Sequence, residues 1–382
     1  MLAPTTWLLT ITVSMAPIFG WDVPRRIDVD CDSDRALQRV LGRSHRRGQV
    51  DIYLHGICKG NFVITTDGVT LRGATRESGL AAPAGATGDF PVLEIVDAQV
   101  TLRGLIVQGG AIGVLVLGRD ADVLLFEVDV EGEEGVGVFA NRGARVRMID
   151  STLRDGGIGL LAQSDTEVNL QRVVVNNQRV GVSVSDRSFA ALNDTTIENN
   201  REAGVIVGHR SDANVSGGNF HENGDVHVSA KDWSSVTLLS GVTMGSDADT
   251  TRFALGANRS ATIASFTTPV IHGDVSVLVG GSIRLGETVL HGDLAVVQFA
   301  DAYVRDAEII GSVVCVDGAD AICSRTTTAG VFGCPSPTCG ETIAEAAGRA
   351  PPVSGFPVVE VPRLELPQRS RVEPSSTTGE QR

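Results

Sequence analysis

Three columns of residues recur every 22 to 24 positions down this chain, and no other feature narrows its fold so far. The first is a glycine between small or apolar neighbours: Gly113, Gly137, Gly159, Gly181 and Gly204 lie 24, 22, 22 and 23 residues apart. The second, just ahead of it, is polar: Glu133, Asp155, Asn177, Asn200 and Asn223, spaced 22, 22, 23 and 23. The third is an apolar pair two residues apart, running Val123–Leu125, Val146–Met148, Val168–Leu170, Ala190–Leu192, Ala213–Val215 and Val236–Leu238. Columns that keep step make each period one structural unit. Within a unit, VGVSVS (180–185), FAALN (189–193) and TTIENN (195–200) alternate with period two, the signature of strands. No stretch between them is long or periodic enough for a helix, so a unit reads as three short strands and three turns. Such a unit cannot bury its apolar side alone, but a stack of them encloses a continuous core.

The turn chemistry agrees. Asn177, Asn200 and Asn223 fall where the chain bends, and form an expected turn ladder. Asparagine tolerates the left-handed conformation, and its amide can bond its own backbone or the asparagine one coil away. Farther on the period shortens: Ile271-His272-Gly273-Asp274-Val275 matches Leu290-His291-Gly292-Asp293-Leu294 at 19 residues, and Ile310-Gly311-Ser312-Val313 follows. Residues 245–260 between the two regimes read as a longer loop.

The coils VVVNNQRVGVSV and TTIENNREAGVIV resemble the right-handed parallel β-helix proteins, the pectate-lyase-like superfamily. The segment IYLHGICKGNFVITTDGVTLRG resembles the opening of such a solenoid, and the likeness spans about residues 50–315. It implies an all-β right-handed parallel β-helix with three faces of strands around aliphatic stacks. A leucine-rich repeat is the alternative at this period. Leu192, Thr195, Ile197 and Asn200 fit part of its pattern, but the other coils do not, and a helical side is missing.

A solenoid needs covered ends. Residues 33–42 can form a short helix capped by Asp32 or Ser33, with Ala36, Leu37, Val40 and Leu41 as its apolar stripe over the N-terminal opening. The cysteines form two groups, Cys31 with Cys58 and then Cys315, Cys323, Cys334 and Cys339. We expect Cys31–Cys58 to staple the N-terminal cap and two bridges within 315–339 to close the other end, with zinc as the alternative for the last four. Residues 7–20 are apolar and too short for a transmembrane helix. They suit the core of a signal peptide (1–20), despite the absence of a preceding Lys or Arg; a buried first strand is the alternative. The expected order is then a cap and first strand (21–60), the β-helix (61–314), a Cys-rich cap (315–340) and a Pro-rich tail, disordered or extended (341–382). This organisation places the protein outside the cell or in the periplasm or envelope, with no membrane span.

Composition narrows the partners. Acidic residues number 46 against 32 basic ones, leaving a net charge of −14, which disfavours nucleic acid. Aromatics are 4% of the chain, too few for a single-strand stacking platform. Nucleotide, serine-hydrolase and zinc-protease motifs are absent: His221-Glu222 lacks a second histidine. Asp28, Asp30 and Asp32 start like a calcium loop, but Ser33 and Arg39 stand where glycine and glutamate are needed. The aspartate clusters with Gly-His-Gly and Arg-x-Lys elements of pectin hydrolases, and the Asp-Pro-His-Asp element of alginate epimerases, are also missing.

In the coil frame Glu127, Asp150, Arg172 and Asp194 form one column, and Arg147, Asn169, Ala191 and Asn214 run outward beside it. Acids that hold calcium against a uronate carboxylate, with Arg172 as the base, would make a polysaccharide lyase, and Arg147, Asn169 and Asn214 would contact its substrate. The plainer alternative is a solvated ladder of alternating charge. A second candidate stacks His272 and Asp274 on His291 and Asp293, as a metal site or general base, or simply as two similar exposed turns. Asp247 and Asp249 are loop acids able to bind calcium or to form turns. Asn193, Asn214 and Asn258 open N-x-[ST] triplets. The leading expectation is a surface-binding or structural protein, its partner a polysaccharide or other cell-surface component, with no cofactor and no resident metal. Calcium enters only with the lyase alternative.

Overall fold

A computed structural model describes residues 24–334, apart from 34–35, 45–47, 84–89, 133–134, 247 and 267–269. The chain winds as a parallel β-helix whose first face is a ladder of 14 parallel strands, from Arg25–Asp30 to Asp320–Ser324. One coil defines the rest. A first-face strand (Glu167–Gln171) bends at Arg172 into a short second-face strand (Val174–Asn176). A second bend leads to the third-face strand (Val180–Val184), and a paired left-handed turn, Asp186–Arg187, returns to the first face.

Register follows the apolar columns. Val146, Val168, Ala190 and Ala213 lie opposite one another in successive strands, as do Met148, Leu170, Leu192 and Val215. All eight are buried, whereas Glu167 and Asn169 on the same face point into solvent. Period-two alternation therefore becomes inside and outside. The glycine column has a steric cause. A Cβ on Gly137, Gly159 or Gly181 would stand 2.7, 2.6 or 2.6 Å from the carbonyl oxygen of the glycine one coil on.

The expected asparagine ladder divides in two. The left-handed bend is Asp155, Asn177, Asn199 and Glu222, each with φ of 53–59°. The residues just after it, Gln178, Asn200 and Asn223, are the ones turned inward and buried. Asn177 instead donates through Nδ2 to Asp155 Oδ1 at the surface, 3.1 Å away. Asn200 and Asn223 are stacked: Asn200 Nδ2 donates to Asn223 Oδ1 (2.7 Å), and Asn200 Oδ1 accepts the Gln178 N–H (3.1 Å).

The helix spans Ala36–Ser44 and buries Leu37 and Leu41 against the first coils. Cys31 is bonded to Cys58 and Cys315 to Cys334, and Cys323 is also disulfide-bonded. Cys339, Glu133 and Asp247 lie outside the described residues, as do the expected signal peptide and tail. Two expected boundaries move. Coiling reaches Phe332 through strands Asp320–Ser324 and Thr327–Phe332, so much of the expected Cys-rich cap is a further rung. The loop near 245–260 ends sooner, because Phe253–Asn258 pairs as a third-face strand with Val226–Lys231. In the 19-residue coils only Gly273 separates Val270–His272 from Asp274–Leu278, whereas three residues separate the equivalent strands at 174–176 and 180–184. The second bend therefore accounts for two of the three residues lost, and the register shift where Phe253 and Leu255 pair with the adjacent Asp274 and Val275 accounts for the third.

Candidate functional site

The column singled out in the sequence is continuous. Glu127, Asp150, Arg172 and Asp194 occupy the first bend of successive coils with φ of 54, 50, 52 and 49°. Each N–H is fixed by a carbonyl one coil on: Ile149 (3.1 Å), Gln171 (3.1 Å), Asn193 (3.0 Å) and Ser216 (2.8 Å). Its central pair is a bidentate ion pair in which Arg172 Nε and Nη2 donate to the two carboxylate oxygens of Asp150 at 2.6 and 2.8 Å. The guanidinium bond holds the Asp150 carboxyl below its ordinary range. Asp150, with Asp194 adding a smaller effect, raises Arg172 in turn. A proton-abstracting arginine must shed its proton, and this pairing opposes that. The geometry favours a charge ladder.

The strand beside this column carries different chemistry. Arg147, Asn169, Ala191 and Asn214 lie in one row, and Ile149, Gln171, Asn193 and Ser216 in the next. Arg147 reaches back to Asp122 Oδ1 (3.1 Å), and Asn193 Nδ2 donates to Asn169 Oδ1 (3.3 Å). From Asn169 to Ser216 these two outward rows are amides and a hydroxyl, with Ala191 as a low point among them, while the third outward row, Glu167, Phe189 and Asp212, carries two carboxylates. Rungs about 4.8 Å apart repeat this pattern along the axis.

The rim of the first face is built from the paired left-handed turns, a feature the sequence reading missed. Asp165, Arg187, Arg210 and Trp233 succeed one another there, linked by hydrogen bonds of the Arg187, Arg210 and Trp233 N–H groups to the next turn along. Trp233 is 67% exposed, and the Arg210 guanidinium lies 5.8 Å from its ring centre. Arg187 is tied bidentately to Asp165 at 2.8 and 2.8 Å, and Arg259 lies 3.5 Å from Asp232. The missed signal was a fixed offset. Asp165, Arg187, Arg210 and Trp233 each stand three residues before an apolar residue of the third column, Val168, Ala190, Ala213 and Val236.

The other candidates resolve differently. His272 and His291 stack with centroids 4.2 Å apart. Asp274 Oδ1 accepts the Asp293 N–H (3.0 Å) and Asp293 Oδ1 that of Ser312 (2.7 Å), so both carboxylates serve the backbone of the following coil. Burial pushes the Asp274 carboxyl up. Asp249 is drawn inward to buried His227, its Oδ2 lying 3.3 Å from Nε2, and accepts the N–H groups of Glu222 (3.0 Å) and Thr251 (2.8 Å). Burial raises its carboxyl, but these donors outweigh burial and hold it below the usual carboxylate range. His227 itself stands in the glycine column and meets Asn223 Nδ2 through Nδ1 (3.1 Å), which ends the buried amide stack. Asp28 is held by Arg26 and His55, and Asp30 accepts the Asp32 N–H. Among the described residues no three His, Cys, Asp or Glu side chains converge as metal ligands. Asn193 and Asn214 sit on the first face, and Asn258 ends a third-face strand.

Comparison with known proteins agrees with this architecture. A family model described as a right-handed β-helix region matches residues 94–242. Among solved structures, the A-module of the mannuronan C-5 epimerase AlgE4 of Azotobacter vinelandii is 15% identical with a TM-score of 0.53, covering 82% of this chain and 97% of that one. The A-module of the AlgE6 epimerase of the same organism is 16% identical with a TM-score of 0.52, covering 80% and 94%. The sequence matches no curated protein. At such identities the likeness is one of fold: the chain is a right-handed parallel β-helix protein.

Proposed function

We propose that the protein is exported and binds an extended, neutral or weakly charged polysaccharide along its first face. The observation that carries this reading is the uncharged panel Asn169, Gln171, Asn193, Asn214 and Ser216 on the first face, with the exposed ring of Trp233 on the rim of that face beyond the row of Glu167, Phe189 and Asp212. Amides and hydroxyls match sugar hydroxyls in donor and acceptor count, and an indole face supplies an apolar platform. A rung repeat of about 4.8 Å is comparable with the length of one pyranose residue, so successive rungs can meet successive sugars. Arg147 extends the panel at one end. A net charge of −14 works against a strongly anionic chain. The disulfides suit an oxidising compartment, and among the described residues no helix is long and apolar enough to cross a membrane. Mannuronan, in the names of the two structural neighbours, is likewise a polysaccharide, though a polyuronate rather than the neutral or weakly charged chain proposed here.

The test is affinity electrophoresis through gels containing one polysaccharide each, neutral and uronate. Retardation by a neutral chain, reduced in Trp233→Ala and in Asn193→Ala, is expected. Migration unchanged in every gel would end the proposal.

A further inference from the structure

The third face is closed on its outer side. On the first face, outward residues such as Glu167 and Asn169 are exposed. On the third, Leu115, Phe139, Leu161 and Ile206 point away from the core yet are at most 4% exposed. They form an apolar stripe with Ile112, Val136, Ile158 and Val180, and among the described residues the apolar side chains packed around that stripe are its own members and Val96. Two charged side chains are closed off with it, Glu94 at the N-terminal end and Lys231 toward the C-terminal end, each 5% exposed. Six coils separate them along the registered strands, a distance of about 29 Å.

We propose that the occupant of this stripe is the chain's own C-terminal segment, residues 353–371, laid along the solenoid axis from the last coils toward the first. Its sequence, VSGFPVVEVPRLELPQRSR, has prolines at 357, 362 and 367, which favour a polyproline II conformation with three residues per turn. In that geometry Val353, Phe356, Val359 and Pro362 make one edge, apolar as far as Glu365, and Val358, Val361, Leu364 and Pro367 make a second. The third edge holds Ser354, Pro357, Glu360, Arg363, Leu366 and Arg369. Such a strand needs no ladder hydrogen bonds, so it can cross strands at right angles. The connection is long enough. From Cys334 the path back to the Lys231 coil is five rungs, about 24 Å, and residues 335–359 can span about 80 Å.

Hydroxyl-radical footprinting of the full chain tests this. Phe139, Leu161 and Ile206 should label slowly, and residues 356–366 more slowly than residues 372–382. Combining Val358→Asp, Val361→Asp and Leu364→Asp should raise labelling of the three face residues severalfold while first-face Phe189 stays unchanged. A face substitution at a polar position of the stripe, Ser183→Glu, should make the segment 353–371 labile to protease without altering the circular dichroism of the coil. Face labelling that stays low in the triple variant would overturn the proposal. So would protection that disappears on dilution, which would mark a second copy, or that is lost on removing residues 1–20.

Discussion

Replacing Asn200 is the sharpest probe of the buried amide stack. Its side chain accepts the Gln178 N–H at 3.1 Å and donates to Asn223 Oδ1 at 2.7 Å and to the Val175 carbonyl at 3.4 Å. Asn200→Ala strands two buried groups, the Gln178 N–H and Asn223 Oδ1. At about 1–3 kcal/mol for each buried group left unpaired, the loss is about 2–6 kcal/mol. Asn200→Asp keeps an acceptor for Gln178 but sets a carboxylate oxygen against Asn223 Oδ1, so at neutral pH it should be at least as damaging. Burial and the facing Asn223 oxygen raise the folded-state pKa of this acid, so the deficit relative to wild type should shrink as pH falls from neutrality toward about 4 and the protonated acid donates to Asn223. The control is Asn177→Ala. Asn177 bends the chain at the surface, and the change should cost only about 1 kcal/mol, from the left-handed backbone. Urea unfolding followed by circular dichroism measures all three. Equal shifts for Asn177→Ala and Asn200→Ala would refute the division of the ladder into an outer bend and an inner stack.

Other perturbations separate inside from outside and one end from the other. Leu170→Asp puts an uncompensated charge among fully buried aliphatics and should cost several kcal/mol, whereas Asn169→Asp, one residue away on the solvent side, should shift stability by less than about 0.5 kcal/mol. The Asp249 carboxyl lies below its unfolded value, so its contribution is present above that value and lost as pH falls below about 4. Asp249→Asn should therefore flatten the acid limb of the stability–pH profile, and an unchanged limb would contradict the His227 pairing. Opening the Cys315–Cys334 bridge with serine at both positions frees a loop of separation 19, which should lower stability by about 3 kcal/mol by calorimetry.

What could be read from the sequence was whatever points inward or forbids a side chain. The Val168–Leu170 column and its equivalents fix the first-face register because one-residue slippage would expose every member. The glycines register the third face because the next coil's carbonyl occupies the Cβ position. The asparagine reading slipped by one residue for a definable reason. Asn176-Asn177 and Asn199-Asn200 are adjacent pairs, and a column drawn at 22 or 23 residues passes through either member. The dyad of His227 and Asp249 was illegible because an eight-residue loop, 245–252, folds Asp249 back over the coil, and no periodic signal reports that contact. Trp233 was hidden because turn residues follow no apolar alternation. The column Glu127–Asp150–Arg172–Asp194 was located correctly in the coil frame, but only side-chain geometry reveals that Arg172 is committed to Asp150.

Fluorescence titration of the full chain with neutral oligosaccharides of increasing length addresses the binding proposal most directly, with Trp233→Phe as the reference. The account predicts a saturable change that disappears in the reference, with affinity rising as the ligand grows to reach Asn193 and Asn169. A response that survives loss of the indole, or an affinity independent of ligand length, would contradict it.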